Sequence, residues 1–327
     1  MIKEAILTEE KQKIATFLFQ FELELEKGID LTLYYEENGR IVGTISKEGY
    51  IIKCLAVDKT FQGQNIASKL VSEIVSRIIY EGNDYYQVFT KKMYRDTFLS
   101  LGFSEIFSTE ETSVLECSSN TIDDFLEANT RRLTFYTDDI ACVVVNCNPI
   151  TRGHLYLIEK ASKEHDHVLV FVLEEDKSYF TFQERMSLVF LAVKHLNNVT
   201  VLPSTRYMIS SLTFPSYFIK EETKKNYEYA KIDTGIFKKY FMKYYKIKYR
   251  YVGEETSEIM KIYNETLKEL LKTNLIVVPR LDSISASKVR ELIFESKLDD
   301  ALEYIPESVK KLLVNIIKSK ELEHHSL

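Results

Sequence analysis

Residues 140–161 read IACVVVNCNPITRGHLYLIEKA, and the fold follows from how this stretch changes character. Ile140 to Val145 run without a polar interruption, the pattern of a strand buried on both faces of a parallel sheet. A proline, a glycine and a histidine (Pro149, Gly153, His154) then precede a helical pattern. In an open parallel sheet, ligands bind at such strand-to-helix turns, because helix N-termini present free N–H groups to anions. A histidine there commonly does no more than cap or pack, so its neighbours must be weighed with it.

Further along, HVLVFVL, NVTVLP, KYRYVG and NLIVVP are strand-like and alternate with helical segments. This alternation predicts a Rossmann-like parallel sheet, covered on both faces, over residues 138–327. Upstream, LTLYYEENGRIVGTISKEGYIIKCLAV (31–57) reads as strands joined by turns at Asn38-Gly39 and around Glu48-Gly49. ASKLVSEIVSRIIYEG is a helix with Leu70, Val71, Ile74, Ile78 and Ile79 on one face. A strand YYQVFT, a helix YRDTFLSLG closed by Gly102 and a strand TSVLECS complete an α+β domain over residues 1–120. Between the two, TIDDFLEANTRRL reads as a helix capped by Thr121, with acidic residues in its first turn and arginines in its last. The expected fold class is α/β, with residues 121–137 as the linker.

With 327 residues, 45% of them hydrophobic, the chain can bury a core in each of two domains. Residues 1–137 carry a formal charge of −7 and the remainder +1, which argues against nucleic acid as a partner. No stretch has signal-peptide character or approaches the roughly 18 apolar residues of a membrane helix, so a cytoplasmic protein is expected, without membrane association. Cys54, Cys117, Cys142 and Cys147 lack CxxC or Cys/His ligand spacing and are expected to be reduced thiols, with no protein metal ligands. LEHH in the terminal ELEHHSL is similar to a vector tail, so His324 and His325 stay outside the functional reading.

A second segment bears on His154. In DSISASKVREL (282–292), Ser285 and Ser287 stand where a helix begins, with Lys288 and Arg290 in its first turns. Cations there oppose the helix dipole, a placement that makes sense when they hold a polyphosphate. An ordinary serine cap with solvated basic residues is the plainer alternative.

Together TRGH, Thr151 to His154, and the ISAS segment resemble the nucleotidyltransferase superfamily with an HxGH motif near its N-terminus and an ISxS-type motif near its C-terminus. Threonine replaces the first histidine. More narrowly, FVLEEDKSYFTFQERMSLV (171–189), RYMISSLTFPSYFIK (206–220), YRYVGEE (249–255) and VVPRLDSISASKVREL (277–292) resemble the C-terminal part of the citrate lyase ligase family, whose motif reads NPxTxGH. The resemblance covers most of residues 138–293. It implies adenylation of acetate by ATP, with a divalent metal such as Mg2+, and then transfer of acetyl to the thiol of the citrate lyase acyl carrier subunit. It implies catalytic roles for His154, Lys177, Arg185 and Lys288. Nucleotide contacts would come from Asn146, Asn148, Thr151 and Gly153, from Gly253 and Glu254, and from Ser285, Ser287 and Arg290.

LAVDKTFQGQNIASKLVSEI (55–74) resembles the pyrophosphate loop of GNAT acetyltransferases, [QR]xxGx[GA], at Gln62 to Ala67. Asn65 stands where glycine is usual, and asparagine tolerates positive φ better than most residues. The resemblance implies that Gln62, Gly63, Asn65 and Ala67 cradle the CoA-derived arm of the carrier, with Tyr94 assisting at the thiol. Two other readings stay open: an N-acetyltransferase using acetyl-CoA with a nucleotide-sensing domain, and a pantetheine-phosphate or nicotinate-type adenylyltransferase.

Overall fold

A computed structural model describes residues 1–325 apart from 132, 175–177, 210–213, 216, 256 and 282–283. The chain divides into two units. Met1–Phe125 and Pro215–Ile232 form the first, Leu126–Phe214 and Asp233–Leu327 the second.

In the first unit, β1 (Ile2–Glu4), α1 (Thr8–Phe19), β2 (Leu31–Glu37), β3 (Arg40–Glu48), β4 (Ile51–Val57), α2 (Ile66–Tyr80), β5 (Tyr85–Lys91), α3 (Arg95–Ser100), β6 (Ser104–Ser108) and β7 (Thr112–Ser118) build a seven-stranded sheet of order β1-β2-β3-β4-β5-β7-β6. Asn38 (φ 50) and Gly39 (φ 77) take the left-handed conformations of a two-residue hairpin turn. The strand β6 escaped the sequence reading, because only Ile106 of its five residues is buried and no alternation marks it. Every pairing is antiparallel except β4 with β5, which meet in parallel only at Ile51–Ile52 against Gln87–Val88. Leu70, Val71, Ile74 and Ile78 of α2 enter the core with Val42, Ile45, Val88 and Leu115. Ile79, expected on the same face, is 58% exposed; it lies one residue, about 100° of helix, past Ile78 and off the stripe.

The connecting helix is α4 (Ile122–Thr130), shorter than expected. Thr121 and Asp124 bond reciprocally at its start. Arg131 falls beyond its end, and Arg132 lies outside the described residues.

The second unit contains β8 (Ile140–Val145), α5 (Arg152–Glu164), β9 (His167–Val172), α6 (Phe182–Val193), β10 (Val199–Pro203), β11 (Ile247–Gly253), α9 (Glu258–Leu271), β12 (Leu275–Val278), α10 (Ala286–Phe294), α11 (Leu298–Leu302) and α12 (Glu307–His325). Between β10 and β11 run α7 (Glu222–Ile236), a π-helical turn and α8 (Met242–Tyr244). The five strands are all parallel, in the order β10-β9-β8-β11-β12. The first three strands build outward on one side of β8 and the last two on the other, so the order reverses at β8 and β11, the switch point at which such sheets bind ligands. All six residues of β9 are buried, as its unbroken apolar run requires. Its helices pack a single core from Ala141 to Ile317. No helix among the described residues is long and apolar enough to cross a membrane. The four cysteines are free, and burial pushes the thiols of Cys54 and Cys142 up to about 12.

Candidate functional site

The site in the second unit begins where β8 stops. The backbone turns sharply through Cys147 (φ 51) and a cis Asn148-Pro149 bond, and α5 starts with Thr151 as its N-cap. The third helical residue, His154, takes the position that Glu or Gln occupies in a capping box. The Thr151 N–H donates to His154 Nδ1 at 3.1 Å, Thr151 Oγ1 lies 2.9 Å from the same nitrogen, and the His154 N–H returns a 3.4 Å bond to Oγ1. Desolvation, aided by the Arg280 guanidinium, lowers the His154 imidazole to about 4.

A second helix N-terminus comes to the same place. Ser285 caps α10 by accepting from the Lys288 N–H at 3.1 Å, and Arg290 of that helix donates to the Asn148 carbonyl at 2.6 Å and to Ser287 Oγ at 3.1 Å. A methyl group placed on Gly153 would touch Ile284, just before α10, at 3.9 Å. The amino ends of α5 and α10 therefore converge beside His154, and their partial positive charges add. Arg280, which follows β12, donates through its guanidinium to the Ile284 carbonyl at 2.9 Å and through its backbone N–H to Glu254 Oε2 at 3.4 Å. Gly253 closes β11, and a Cβ there would meet nothing within 4 Å, which leaves room for a ligand against the backbone.

The structure thus gathers Asn148, Thr151, Gly153, His154, Glu254, Ser285, Ser287 and Arg290 at the carboxyl ends of the strands. Lys288 is half exposed and pairs with Glu291 at 3.5 Å. Lys177 lies outside the described residues. Arg185 departs from expectation. Its side chain is fully buried, and it donates to the carbonyls of Phe180, Asn146 and Leu173 and to Asn146 Oδ1 at 2.8–3.1 Å. It ties together the ends of β8 and β9 and the start of α6, so its part is to hold the turn. Arg280 was passed over in the sequence, although an arginine directly after an apolar strand and a proline was a readable signal.

His154 makes the second unit acid-sensitive. The unfolded chain takes up a proton near the ordinary histidine value of 6.5, while the folded ring resists until about 4. Stability is therefore unaffected above 6.5 and falls as pH drops toward 4, where the loss is complete. The urea midpoint of wild type should fall relative to that of His154→Leu between pH 7 and pH 5; parallel pH dependences would contradict the lowered imidazole pKa.

In the first unit, the β4–β5 ladder stops after two residues. Leu55 to Val57, Thr90, Phe61 to Gly63, Asn65 to Ser68 and Tyr94 line a cavity of about 410 Å3. Gly63 (φ 83) and Asn65 (φ 59) are left-handed, so asparagine does occupy the glycine-like conformation expected of it. None of the described residues lining the cavity is Asp, Glu, His, Lys or Arg.

A model of the citrate lyase ligase C-terminal domain matches residues 140–313, and one of the GNAT acetyltransferase domain matches residues 6–115. The chain is 32% identical over 319 residues to citrate (pro-3S)-lyase ligase of Haemophilus influenzae, covering 93% of this chain and 95% of that protein. It is 28% identical over 320 residues to the Escherichia coli protein of the same name, covering 94% and 91%. Phosphopantetheine adenylyltransferase of Streptococcus sanguinis is 27% identical over 187 residues, covering 56% of this chain and 99% of that protein.

Proposed function

This chain belongs to the citrate lyase ligase family, and from that premise we propose that it uses ATP to acetylate the thiol of the citrate lyase acyl carrier protein, which switches citrate lyase on. The observation that carries this reading is the presence in one chain of an anion site, built from two helix N-termini and His154, and a neutral cavity in a GNAT unit.

An acetate oxygen attacks the α-phosphorus of ATP. The new O–P bond forms as the bond to the bridging oxygen breaks, and the electron pair leaves with pyrophosphate. Acetate is already an anion and needs no base; the obstacle is its repulsion by the triphosphate. Arg280, Arg290, Lys288 and Lys177 offset that repulsion, together with the amino ends of α5 and α10. His154 meets the charge that develops on the leaving pyrophosphate. The carrier thiolate then attacks the carbonyl of acetyl adenylate, and AMP departs.

Among the described residues, no group of three or more His, Cys, Asp and Glu could hold a metal ion. Mg2+ in this reading arrives bound to the triphosphate. Residues 1–120 serve as the thiol-holding domain and 138–327 as the adenylating one, joined through 121–137. The neutral cavity suits the amides and thiol of a pantetheine arm, and among its described lining residues there is no carboxylate or imidazole to take a proton from an amine, which weighs against an N-acetyltransferase. Likeness of just over half of the chain to phosphopantetheine adenylyltransferase supports a runner-up, in which a phosphate attacks ATP instead.

Incubation with ATP, acetate and deacetylated citrate lyase should release AMP and pyrophosphate and restore lyase activity. Failure of acetate to promote pyrophosphate release, with a dinucleotide formed from phosphopantetheine, would favour the runner-up. Gly63→Leu separates the two steps, since a side chain at φ 83 keeps an anion away from the loop amides. It should retain acetate-dependent ATP–pyrophosphate exchange and lose carrier acetylation by more than about tenfold, the value of one or two hydrogen bonds to a charged group. Unchanged carrier acetylation would make the first unit a scaffold.

A further inference from the structure

We propose that Thr151 is a positioning residue that locks His154 as the neutral imidazole protonated on Nε2, so that a neutral donor meets the departing pyrophosphate and imidazole protonation takes no part in turnover. The inference deepens the adenylation reading and rests on it for its role in catalysis.

A backbone N–H can only donate, and that of Thr151 points to His154 Nδ1 at 3.1 Å. Nδ1 must therefore carry a lone pair. With Nδ1 fixed as an acceptor, the Thr151 hydroxyl, 2.9 Å away, donates to it as well. The hydroxyl oxygen in turn accepts the His154 N–H at 3.4 Å, so all three contacts agree on one arrangement. The single proton of the neutral ring then sits on Nε2, which meets no acceptor among the described residues. Protonating Nδ1 would set it against the Thr151 N–H and break that bond, although the hydroxyl could turn to accept. The charged group acting on the ring is Arg280, from the segment after β12, and a cation there also opposes a second proton. Positive charge for the polyphosphate comes from Arg280 and Arg290, whereas His154 contributes a directed N–H. Threonine in place of the superfamily's first histidine is thereby explained, since a hydroxyl can donate to Nδ1 without adding a competing titration.

The test uses the full-length protein with 15N-labelled histidine, the His154 signals being those lost in His154→Ala. Wild type should show the Nε2–H pattern from about pH 5.5 to 8, with no titration across the usual histidine range. Its acetate-dependent ATP–pyrophosphate exchange should show no histidine limb over the same range. Thr151→Val keeps the backbone donor and removes the hydroxyl. It should lower exchange by about tenfold, one hydrogen bond's worth, keep the Nε2–H pattern at pH 8 through the backbone N–H, and gain a pH-dependent limb, since the neutral ring has lost a donor. Thr151→Ser should restore both the rate and the flat profile. An Nδ1–H or imidazolium signal in wild type at pH 7, or a Val variant with wild-type rate and profile, overturns the proposal. Absence of acetate-dependent exchange in wild type, with the Nε2–H signature present, overturns the adenylation reading and with it the catalytic role of the lock, while the tautomer assignment stands.

Discussion

His154→Ala loses acetate-dependent ATP–pyrophosphate exchange by about 10²–10³-fold, roughly 2.7–4 kcal/mol of transition-state stabilisation, the cost of removing one fixed donor from a developing oxyanion. Size alone does not produce this loss. Removing the ring deletes the Nε2–H and also leaves the Thr151 N–H and hydroxyl without the acceptor they share. The helix should survive, because Thr151 can still cap α5 by accepting the backbone N–H of residue 154. The expected signature is a lower maximal exchange rate with the ATP concentration dependence little altered, since the lost bond strengthens in the transition state. Exchange near wild-type level in a folded His154→Ala protein would remove His154 from the chemistry.

Arg185→Met acts on folding. The guanidinium satisfies three backbone carbonyls and the Asn146 side-chain oxygen inside the protein. A thioether fills part of the space and donates nothing. Each buried acceptor left unpaired costs about 1–3 kcal/mol, and with some re-entry of water the total should be roughly 3–5 kcal/mol, in the range reserved for broken buried networks. For a unit of this size that lowers the melting temperature by about 6–20 °C. Arg185→Lys should recover only a part, because a single ammonium cannot reach the Asn146 and Leu173 oxygens held by Nη1 and also the Phe180 carbonyl held by Nε. Thermal and urea unfolding check the prediction. If Arg185→Met unfolded like wild type and raised only the Michaelis constant for ATP, the arginine would be touching nucleotide, as its place in the sequence suggests.

His154 and Arg185 differ in how far their partners lie along the chain. His154 was legible because everything that defines its position is local: an unbroken apolar strand, a turn with proline and glycine, and a helix start within fifteen residues. Asn65 was legible for the same reason, since its left-handed conformation is a demand of one loop. Arg185 reads in the sequence as a helical cation available to a phosphate. Its side chain instead reaches the oxygens of residues 146 and 173, brought to it only when β8 and β9 pair, and the nearby carbonyl of Phe180. Lys288 and Arg290 stand two residues apart, yet one pairs with a neighbouring glutamate and the other reaches the carbonyl of Asn148.

By itself, the sequence determined the two kinds of sheet, the strand-to-helix turn that carries His154, the serine start of α10 and the family. Each depends on apolar periodicity, turn chemistry or ordered motifs, which are properties of residues close along the chain. Only the tertiary structure decided that residues 215–232 pack with the first unit, that Arg280 stands beside His154, that Arg185 turns inward, and that Thr151 sets the proton on the imidazole. The last is the most instructive, for Thr151 and His154 are only three residues apart. Spacing brought them within reach, but which nitrogen accepts was settled by the backbone direction at Thr151, which the cap of α5 imposes.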